Sequence, residues 1–387
     1  MVIKKFIAAA IIMVSFATFA TAAEIRNVVA TPRNPWGKVE VSFEVEGDLT
    51  AGLPEWNRPF FTLSATDRTT GANYVASASA LSGDTGTEEG VHRVVWDLKV
   101  QGLGFVSDDV VFTGTYSVDT YCVIDLSAGA DATTYPVSYL SDVPTGGWTD
   151  EYKTTKLVLR RIEAGTFIMG ENQNNESHRV TLTKPFFCGL FEVTQKQYTL
   201  VTGTDPCSST QYGKSDSRPV HYVSYDMIRG ASNGAKWPSS SSVDSSSFMG
   251  KLRARTGLDF DLPTEAQWEY ACRAGTTTKY YWGNSMNGNL TWYTDNSTTT
   301  HTVGQKGTNA WGLYDMSGNV WEYCLDRHGT LAYGIDPKGV STGALRVKRG
   351  GSWDDSANAC SSYGRVGGGS SNALNTNGFR LARTLSE

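Results

Sequence analysis

After its first two dozen residues, this 387-residue sequence contains no long apolar run. The apolar run at 6–19 is itself shorter than the roughly 20 residues that a membrane-spanning helix needs. It follows a short basic start and precedes Ala20-Thr21-Ala22, a small-residue pattern that signal peptidases accept. The sequence therefore predicts a signal peptide at 1–23, no membrane span after its cleavage, and an extracytoplasmic (secreted or periplasmic) protein. A retained membrane anchor is the alternative.

Clusters of basic residues and metal-binding motifs are also missing. The net charge is −5, with Lys and Arg spread along the chain, whereas nucleic-acid binding needs clustered cations. The sequence therefore predicts no nucleic-acid partner. The five histidines are isolated and the six cysteines contain no CxxC pair, which argues against a zinc or other histidine-based metal site. In an exported protein the cysteines could still form disulfides.

The first half of the chain carries the alternation of apolar and polar residues that is typical of β-strands. Val39, Val41, Phe43 and Val45 alternate with polar neighbours, and the same pattern recurs up to about residue 124. We expect an all-β, immunoglobulin-like sandwich at 24–140. Pro and Gly then indicate a linker at 141–154, followed by a second domain at 155–387. The fold class predicted for the whole chain is α+β.

The second domain contains two helix-start signals separated by polar loops. Thr194 is followed by Gln197, and Thr264 by Gln267; both pairs are capping boxes. After the second box, Trp268, Ala271 and Cys272 share one helix face. The sequence thus predicts a few short helices among many loops and short strands.

Six segments of this domain carry a resemblance to a known family: IEAGTFIMG (162–170), FEVTQKQY (191–198), FDLPTEAQWEYACRAG (260–275), WGLYDMSGNVWEYC (311–324), RVKRGGSWDD (346–355) and NGFRLAR (377–383). In order and spacing they resemble the formylglycine-generating enzyme, or sulfatase-modifying factor, family. The resemblance implies a C-type-lectin-like fold with little regular secondary structure. Relatives include oxidases and ligand-binding proteins, so the fold alone leaves function open.

The resemblance implies a calcium site in YDMSGNVWE. Its ligands would be the side chains of Asp315 and Glu322 and the backbone carbonyls of Gly318 and Val320. Carboxylates and carbonyls in a tight loop are the oxygen ligands that calcium prefers. In the alternative interpretation Asp315 only caps a turn and Glu322 pairs with an arginine.

The oxidases of this family hold copper(I) between two cysteines five positions apart. Here Cys360 keeps the second position, but Asp355 occupies the first. Copper(I) prefers soft sulfur ligands, and a carboxylate is a hard oxygen donor, so we do not expect copper. Ser352 and Trp321 match residues that line the oxidase pocket. Cys360 could instead form a disulfide with Cys324, or both could be buried free thiols.

The segment at 361–377 matches the stretch that crosses the exposed binding face in lectin-fold relatives. Its candidate ligand contacts are Tyr363, Asn372, Asn375 and Asn377; an inert surface loop is the alternative. We therefore expect an exported, calcium-stabilised module that binds a protein or glycan or acts as an accessory factor, and whether it is an enzyme stays open. The alternative is an oxidase that converts a cysteine of a sulfatase peptide to formylglycine.

Overall fold

The computed structural model describes residues 24–33, 38–46, 60–67, 73–76, 81–83, 90–97, 110–117, 120–171, 177–207 and 210–385. The predicted signal peptide at 1–23 lies outside these residues. The chain forms two compact units, which meet in sequence between Asp119 and Thr120. None of the helices in the described ranges is long and apolar enough to cross a membrane.

The N-terminal unit is built from antiparallel strands. Two sheets form, with the orders β1-β2-β6-β5 and β4-β3-β7. The described strands are β1 (Glu24–Arg33), β2 (Lys38–Glu46), β3 (Phe60–Asp67), β4 (Asn73–Val75), β5 (Leu81–Gly83), β6 (Gly90–Asp97) and β7 (Val110–Ser117). The predicted alternation in β2 is confirmed, because Val39, Val41, Phe43 and Val45 are all buried between partly exposed neighbours. The packing of the two sheets as a sandwich stays a prediction.

The boundary predicted at residue 140 is corrected by the next two strands. β8 (Tyr121–Asp125) and β9 (Val137–Leu140) belong to the C-terminal unit, where β8 pairs with both β9 and β10 (Lys156–Ile162). The predicted linker at 141–154 therefore lies inside this unit and ends in the helix α1 (Glu151–Thr154). The period-2 pattern reached β8 but not β9, and it carries no information on which strands pair with them.

The C-terminal unit is α+β, with short elements joined by long loops. Its sheets have the orders β19-β13-β10-β8-β9, β11-β12-β15 and β17-β16-β14-β18. The further strands are β11 (Gly165–Met169), β12 (His178–Leu182), β13 (Phe186–Gly189), β14 (Trp321–Arg327), β15 (Gly334–Ile335), β16 (Leu345–Arg349), β17 (Arg365–Gly369), β18 (Asn377–Gly378) and β19 (Ala382–Thr384). The further helices are α2 (Gln195–Thr202), α3 (Tyr225–Arg229), α4 (Phe248–Thr256) and α5 (Glu265–Arg273), with a 3-10 turn at Gly234–Lys236.

Both predicted capping boxes are present. The Thr194 and Thr264 hydroxyls accept from the backbone amides of Gln197 and Gln267, and each glutamine side chain accepts from the backbone amide of its threonine. These bonds fix the starts of α2 and α5 by satisfying amides that have no partner within the helix. The last residue of α5 is Arg273. Its C-cap, Ala274, takes the left-handed conformation one residue before Gly275.

Helix α5 is buried along its whole length, including its charged residues. Glu269 accepts from Arg273 at 2.8 Å and from Arg349 of β16, and Glu265 accepts from Arg365 of β17 at 2.7 Å. Buried charges cost free energy unless they are paired in this way. The network joins α5 to β16 and β17 and thereby positions the sheet edge on which the candidate site lies.

Candidate functional site

The residues predicted from the oxidase pocket lie together at the edge of the β17-β16-β14-β18 sheet. Trp321 is the first residue of β14, and Ser352 and Asp355 lie in the loop that follows β16. The Trp321 indole Nε1 donates to Asp355 Oδ2 at 2.7 Å, and the Ser352 hydroxyl donates to the same oxygen. Trp321 and Ser352 are buried, whereas Asp355 is partly exposed. One carboxylate oxygen is therefore held by two fixed donors.

Two glycines turn the chain from β16 into this site. Gly350 and Gly351 have φ values of 94° and 75°, a region that glycine adopts readily and other residues avoid. A Cβ on Gly351 would lie 2.6 Å from Cys360 Sγ. The Gly-Gly-Ser sequence thus permits the backbone to pass directly over the Cys360 thiol.

Cys360 is the only cysteine of the predicted copper pair. It is fully buried, and burial, followed by the negative charge of Asp355, raises the pKa of its thiol to about 12. A single cysteine sulfur is therefore present where copper(I) favours two. Asp355 cannot supply the missing sulfur, and its Oδ2 is already occupied by Trp321 and Ser352.

The predicted Cys324–Cys360 disulfide is not formed. All six cysteines are free and buried. Cys324 lies on β14 close to Glu265 and Arg349, whereas Cys360 lies under the Gly351 turn. Both therefore match the alternative of buried thiols.

Lys348 of β16 is a site residue that sequence reasoning missed. Its side chain is buried, with only 6% of the residue exposed, and Nζ donates to Asn377 Oδ1 at 2.8 Å. Nζ also lies 5.7 Å from the centroid of the Trp321 ring. Burial lowers the pKa of Lys348 to about 8, while the charge of Asp355 acts in the opposite direction. The available signal was a lysine next to Val347 in the strand LRVKR, two residues before Gly-Gly-Ser.

The four predicted ligand contacts do not form one surface. Asn377 is buried and structural: its Nδ2 donates to the Tyr323 hydroxyl at 3.3 Å and to the Asn372 carbonyl at 3.1 Å. Tyr363 is partly exposed and donates from its hydroxyl to Glu171 at 3.2 Å. Asn372 is exposed and Asn375 is partly exposed.

Asn372 and Asn375 remain as candidates, because both are at least partly exposed and the Tyr363 hydroxyl is already bonded to Glu171. The Asn375 carbonyl accepts from the indole of Trp353, the neighbour of Ser352, at 3.4 Å. The Asn372 carbonyl accepts from the Tyr323 hydroxyl at 2.9 Å. Asn377 is corrected from a ligand contact to the residue that holds Lys348.

The loop predicted to bind calcium is held by an ion pair. Arg380 donates to Glu322 from Nε to Oε2 and from Nη2 to Oε1, both at 2.6 Å, and the Trp268 indole adds a third bond to Oε2. Glu322 thus follows the alternative interpretation and pairs with an arginine. Within the described ranges, no group of three or more His, Cys, Asp and Glu residues is arranged to hold a metal ion.

The other three predicted calcium ligands, at Asp315, Gly318 and Val320, belong to one turn. Asp315 has a φ of 53°, and its Oδ2 accepts from the Gly304 amide at 2.6 Å. Burial raises the pKa of Asp315 to about 6. The amide of Gly318 donates to the Gly350 carbonyl at 2.8 Å, and the amide of Val320 donates to Glu192 at 3.1 Å.

Glu192 is a second residue of this loop that the sequence did not reveal. It accepts from the Asn319 side chain at 2.6 Å as well as from Val320, and burial, then Asp315, raises its pKa. Glu322 does not fit an ion, because Arg380 would place a positive charge beside it. Calcium stays a prediction of the sequence.

The comparison with protein families gives a match over the C-terminal part of the chain. Residues 149–385 match the family model described as the sulfatase-modifying factor enzyme 1-like domain. The chain belongs to this family. The family predicted from the sequence motifs is therefore confirmed for the C-terminal part of the chain.

The proteins that this chain resembles carry different functional names, and the first two are formylglycine-generating enzymes. The chain is 36% identical over 144 residues to a formylglycine-generating enzyme of Streptomyces coelicolor, which covers 31% of this chain and 46% of that protein. A formylglycine-generating enzyme of Thermomonospora curvata is 37% identical over 147 residues, 31% of this chain and 48% of the enzyme. The chain thus spans about half the length of these two enzymes.

Two further relatives carry other names. The chaperone protein LppX of Paenibacillus barcinonensis is 28% identical over 233 residues, 51% of this chain and 79% of that protein. Among solved structures, Treponema denticola variable protein 1 is 27% identical, with a TM-score of 0.50, covering 60% of this chain and 96% of that one. The C-type-lectin-like fold predicted for the second domain is thereby supported.

Proposed function

We propose that this sulfatase-modifying factor family protein is a ligand-binding or accessory module that does not carry out copper-dependent oxidation. The observation that carries the proposal is the position of Asp355, which stands where the oxidases have their first copper cysteine. Its Oδ2 is bound by Trp321 and Ser352, and Cys360 is the one cysteine left at the two copper positions. Copper(I) favours two sulfur ligands, and this site offers only Cys360.

The same pocket offers polar chemistry that is suited to binding. Lys348 has three N–H donors, of which Asn377 takes one, and Asp355 keeps its Oδ1 for a ligand. The indole of Trp321 lies between these charged groups. Asn372 and Asn375 add adaptable hydrogen-bonding groups near the rim. We propose a protein or glycan as the ligand, and export of the mature chain, as residues 1–23 predict.

Copper titration of the full chain tests the first part of the proposal. Wild type, Asp355→Cys and Asp355→Cys with Cys360→Ala compete with a chelating indicator for copper(I). We expect wild type not to compete, Asp355→Cys to compete, and the double variant to lose that gain, because two sulfurs are required. Equal binding by both variants would mean that Cys360 does not face the former copper position.

The alternative function, a formylglycine-generating oxidase, is tested with a cysteine-containing sulfatase peptide. Wild-type protein, copper and oxygen are incubated with the peptide, and the peptide mass is measured. We expect no change in mass. Tight copper binding by wild type together with conversion of cysteine to formylglycine would overturn the proposal.

Ligand binding is tested on a glycan and peptide array with the full chain. We expect Asn372→Ala, Asn375→Ala and Lys348→Met to weaken the same array signal, because these residues border one pocket. Asn289→Ala serves as the matched control, since Asn289 is an exposed asparagine outside it. A signal that none of the three variants changes would place the binding surface elsewhere.

A further inference from the structure

A cavity in the C-terminal unit shares no residue with the site formed by Trp321, Lys348, Ser352 and Asp355. It has a volume of about 370 Å³, within the range of roughly 300–1,000 Å³ that is usual for small-molecule sites. It lies between the end of β12, the loop at 336–338, the 3-10 turn region, the residues between α4 and α5, and β19. Its floor is apolar and is formed by Leu182, Leu262, Leu325, Pro337 and Ala382.

Trp237 forms an aromatic wall of this cavity. The residue is 91% buried, and its indole Nε1 donates to the Lys338 carbonyl at 3.3 Å. The ring is thus fixed in place and presents apolar surface to the cavity. A fixed aromatic wall over an apolar floor suits a ligand with a flat apolar body.

The acidic residues that border the cavity are all engaged by protein groups. Asp261 is paired with Arg229 at 2.6 Å and with Arg253 at 2.8 Å. Asp259 is paired with Arg383 at 2.9 Å, and Asp336 accepts from the Thr183 amide at 2.9 Å and from its hydroxyl. Arginines thus balance the charges of Asp261 and Asp259, whereas Asp336 keeps its negative charge because Thr183 is neutral.

The lysines on the rim are in a different situation. Across the described ranges, neither Lys184 nor Lys338 has a carboxylate within 4.0 Å. Lys338 Nζ lies 5.7 Å from the centroid of the Trp237 ring, so one positive charge stands directly beside the aromatic wall. Lys184 and Lys338 therefore give the mouth of the cavity a net positive charge, while its floor is apolar.

We infer that this cavity binds a small organic anion whose apolar, preferably aromatic, body lies against Trp237 and whose anionic group meets Lys184 and Lys338. An anion there gains from two cations that have no other ionic partner among the described residues. A neutral molecule of the same shape would gain only from burial of its apolar surface. A cation would be repelled from the rim.

A pair of fluorescent probes tests this inference. The anion 1-anilinonaphthalene-8-sulfonate and its neutral counterpart N-phenyl-1-naphthylamine share an apolar body but differ in charge. We expect the full-length wild type to bind the anion more tightly. Lys184→Gln and Lys338→Gln should each weaken the anion about two- to fivefold, as expected for exposed ion pairs, and the double variant should lose the preference over the neutral probe.

Lys214→Gln is the matched control, because Lys214 is a similarly exposed lysine that pairs with Asp205 away from the cavity. It should leave both affinities unchanged. Circular dichroism melts of all variants confirm that each is folded. The inference is overturned if wild type fails to bind the anion, if it binds both probes equally, or if the double variant keeps the wild-type preference. This outcome is independent of the copper and array experiments, which probe other residues.

Discussion

Replacing Glu322 by Gln tests what holds the 315–322 loop together. Glu322 is 1% exposed, and Arg380 binds both of its oxygens. Glutamine keeps the size of the side chain but removes the charge, which leaves the Arg380 guanidinium as a buried, unpaired cation. Breaking a buried ion pair by removing one partner costs about 3–5 kcal/mol.

The expected effect is a large fall in thermal stability. For domains of about 150–250 residues, 1 kcal/mol shifts the melting midpoint by about 2–4 °C, so Glu322→Gln should lower it by about 6–20 °C. Circular dichroism melts of the full chain measure this shift. Adding Arg380→Gln should restore part of the loss, because no unpaired cation then remains. A midpoint for Glu322→Gln within about 2 °C of wild type would refute the role of the ion pair.

The same melts, repeated with a calcium chelator, separate arginine from calcium as the partner of Glu322. Since Arg380 already binds both oxygens, we expect chelation to leave the wild-type midpoint unchanged. If calcium does bind there, chelation would lower the wild-type midpoint, by an amount equivalent to about 2.7 kcal/mol at a hundredfold excess over the dissociation constant. A fall in wild type that Glu322→Gln does not share would establish the calcium site.

Three further substitutions test other parts of the structure by urea unfolding. The pKa of Lys348 is about 8 in the folded state and about 10.5 in the unfolded state, so the free energy of unfolding should rise by about 2–3 kcal/mol between pH 7 and pH 10. Lys348→Met should abolish this rise. An unchanged slope would contradict the burial of the amine. Thr264→Ala should cost about 1 kcal/mol by removing the cap of α5, whereas Thr342→Ala, an exposed control, should be neutral. Gly351→Ala should cost at least about 1 kcal/mol, because it adds a Cβ 2.6 Å from Cys360 Sγ at a positive φ; no loss would mean that the turn relaxes freely.

Local signals in the sequence predicted local structure well. The capping boxes at Thr194 and Thr264 depend on residues three positions apart, and both formed as expected. The alternation in β2 likewise depends only on neighbours, and its apolar residues are buried. Ser352 and Asp355, which the family motif assigned to one site, are indeed bonded to each other.

Contacts between distant parts of the chain were predicted poorly. Arg380 reaches Glu322 across 58 residues, and Asn377 holds Lys348 across 29, neither of which a local pattern encodes. The domain boundary failed for the same reason, since β8 is defined by its pairing with β10. The metal and disulfide predictions depended on where side chains point. The family resemblance implied those directions, but the hydrogen bonds and ion pairs within this chain determine them.

The complete burial of α5 bears on how this protein could be engineered. All nine of its residues, from Glu265 to Arg273, are packed, so a library randomised over them should return few folded clones. The exposed positions Ser371, Asn372 and Leu374 have no such constraint. A library confined to these three should keep most clones folded while changing the chemistry beside the Trp321 pocket. One segment that carries the family resemblance is thus separate from the segment that could be evolved toward a chosen ligand.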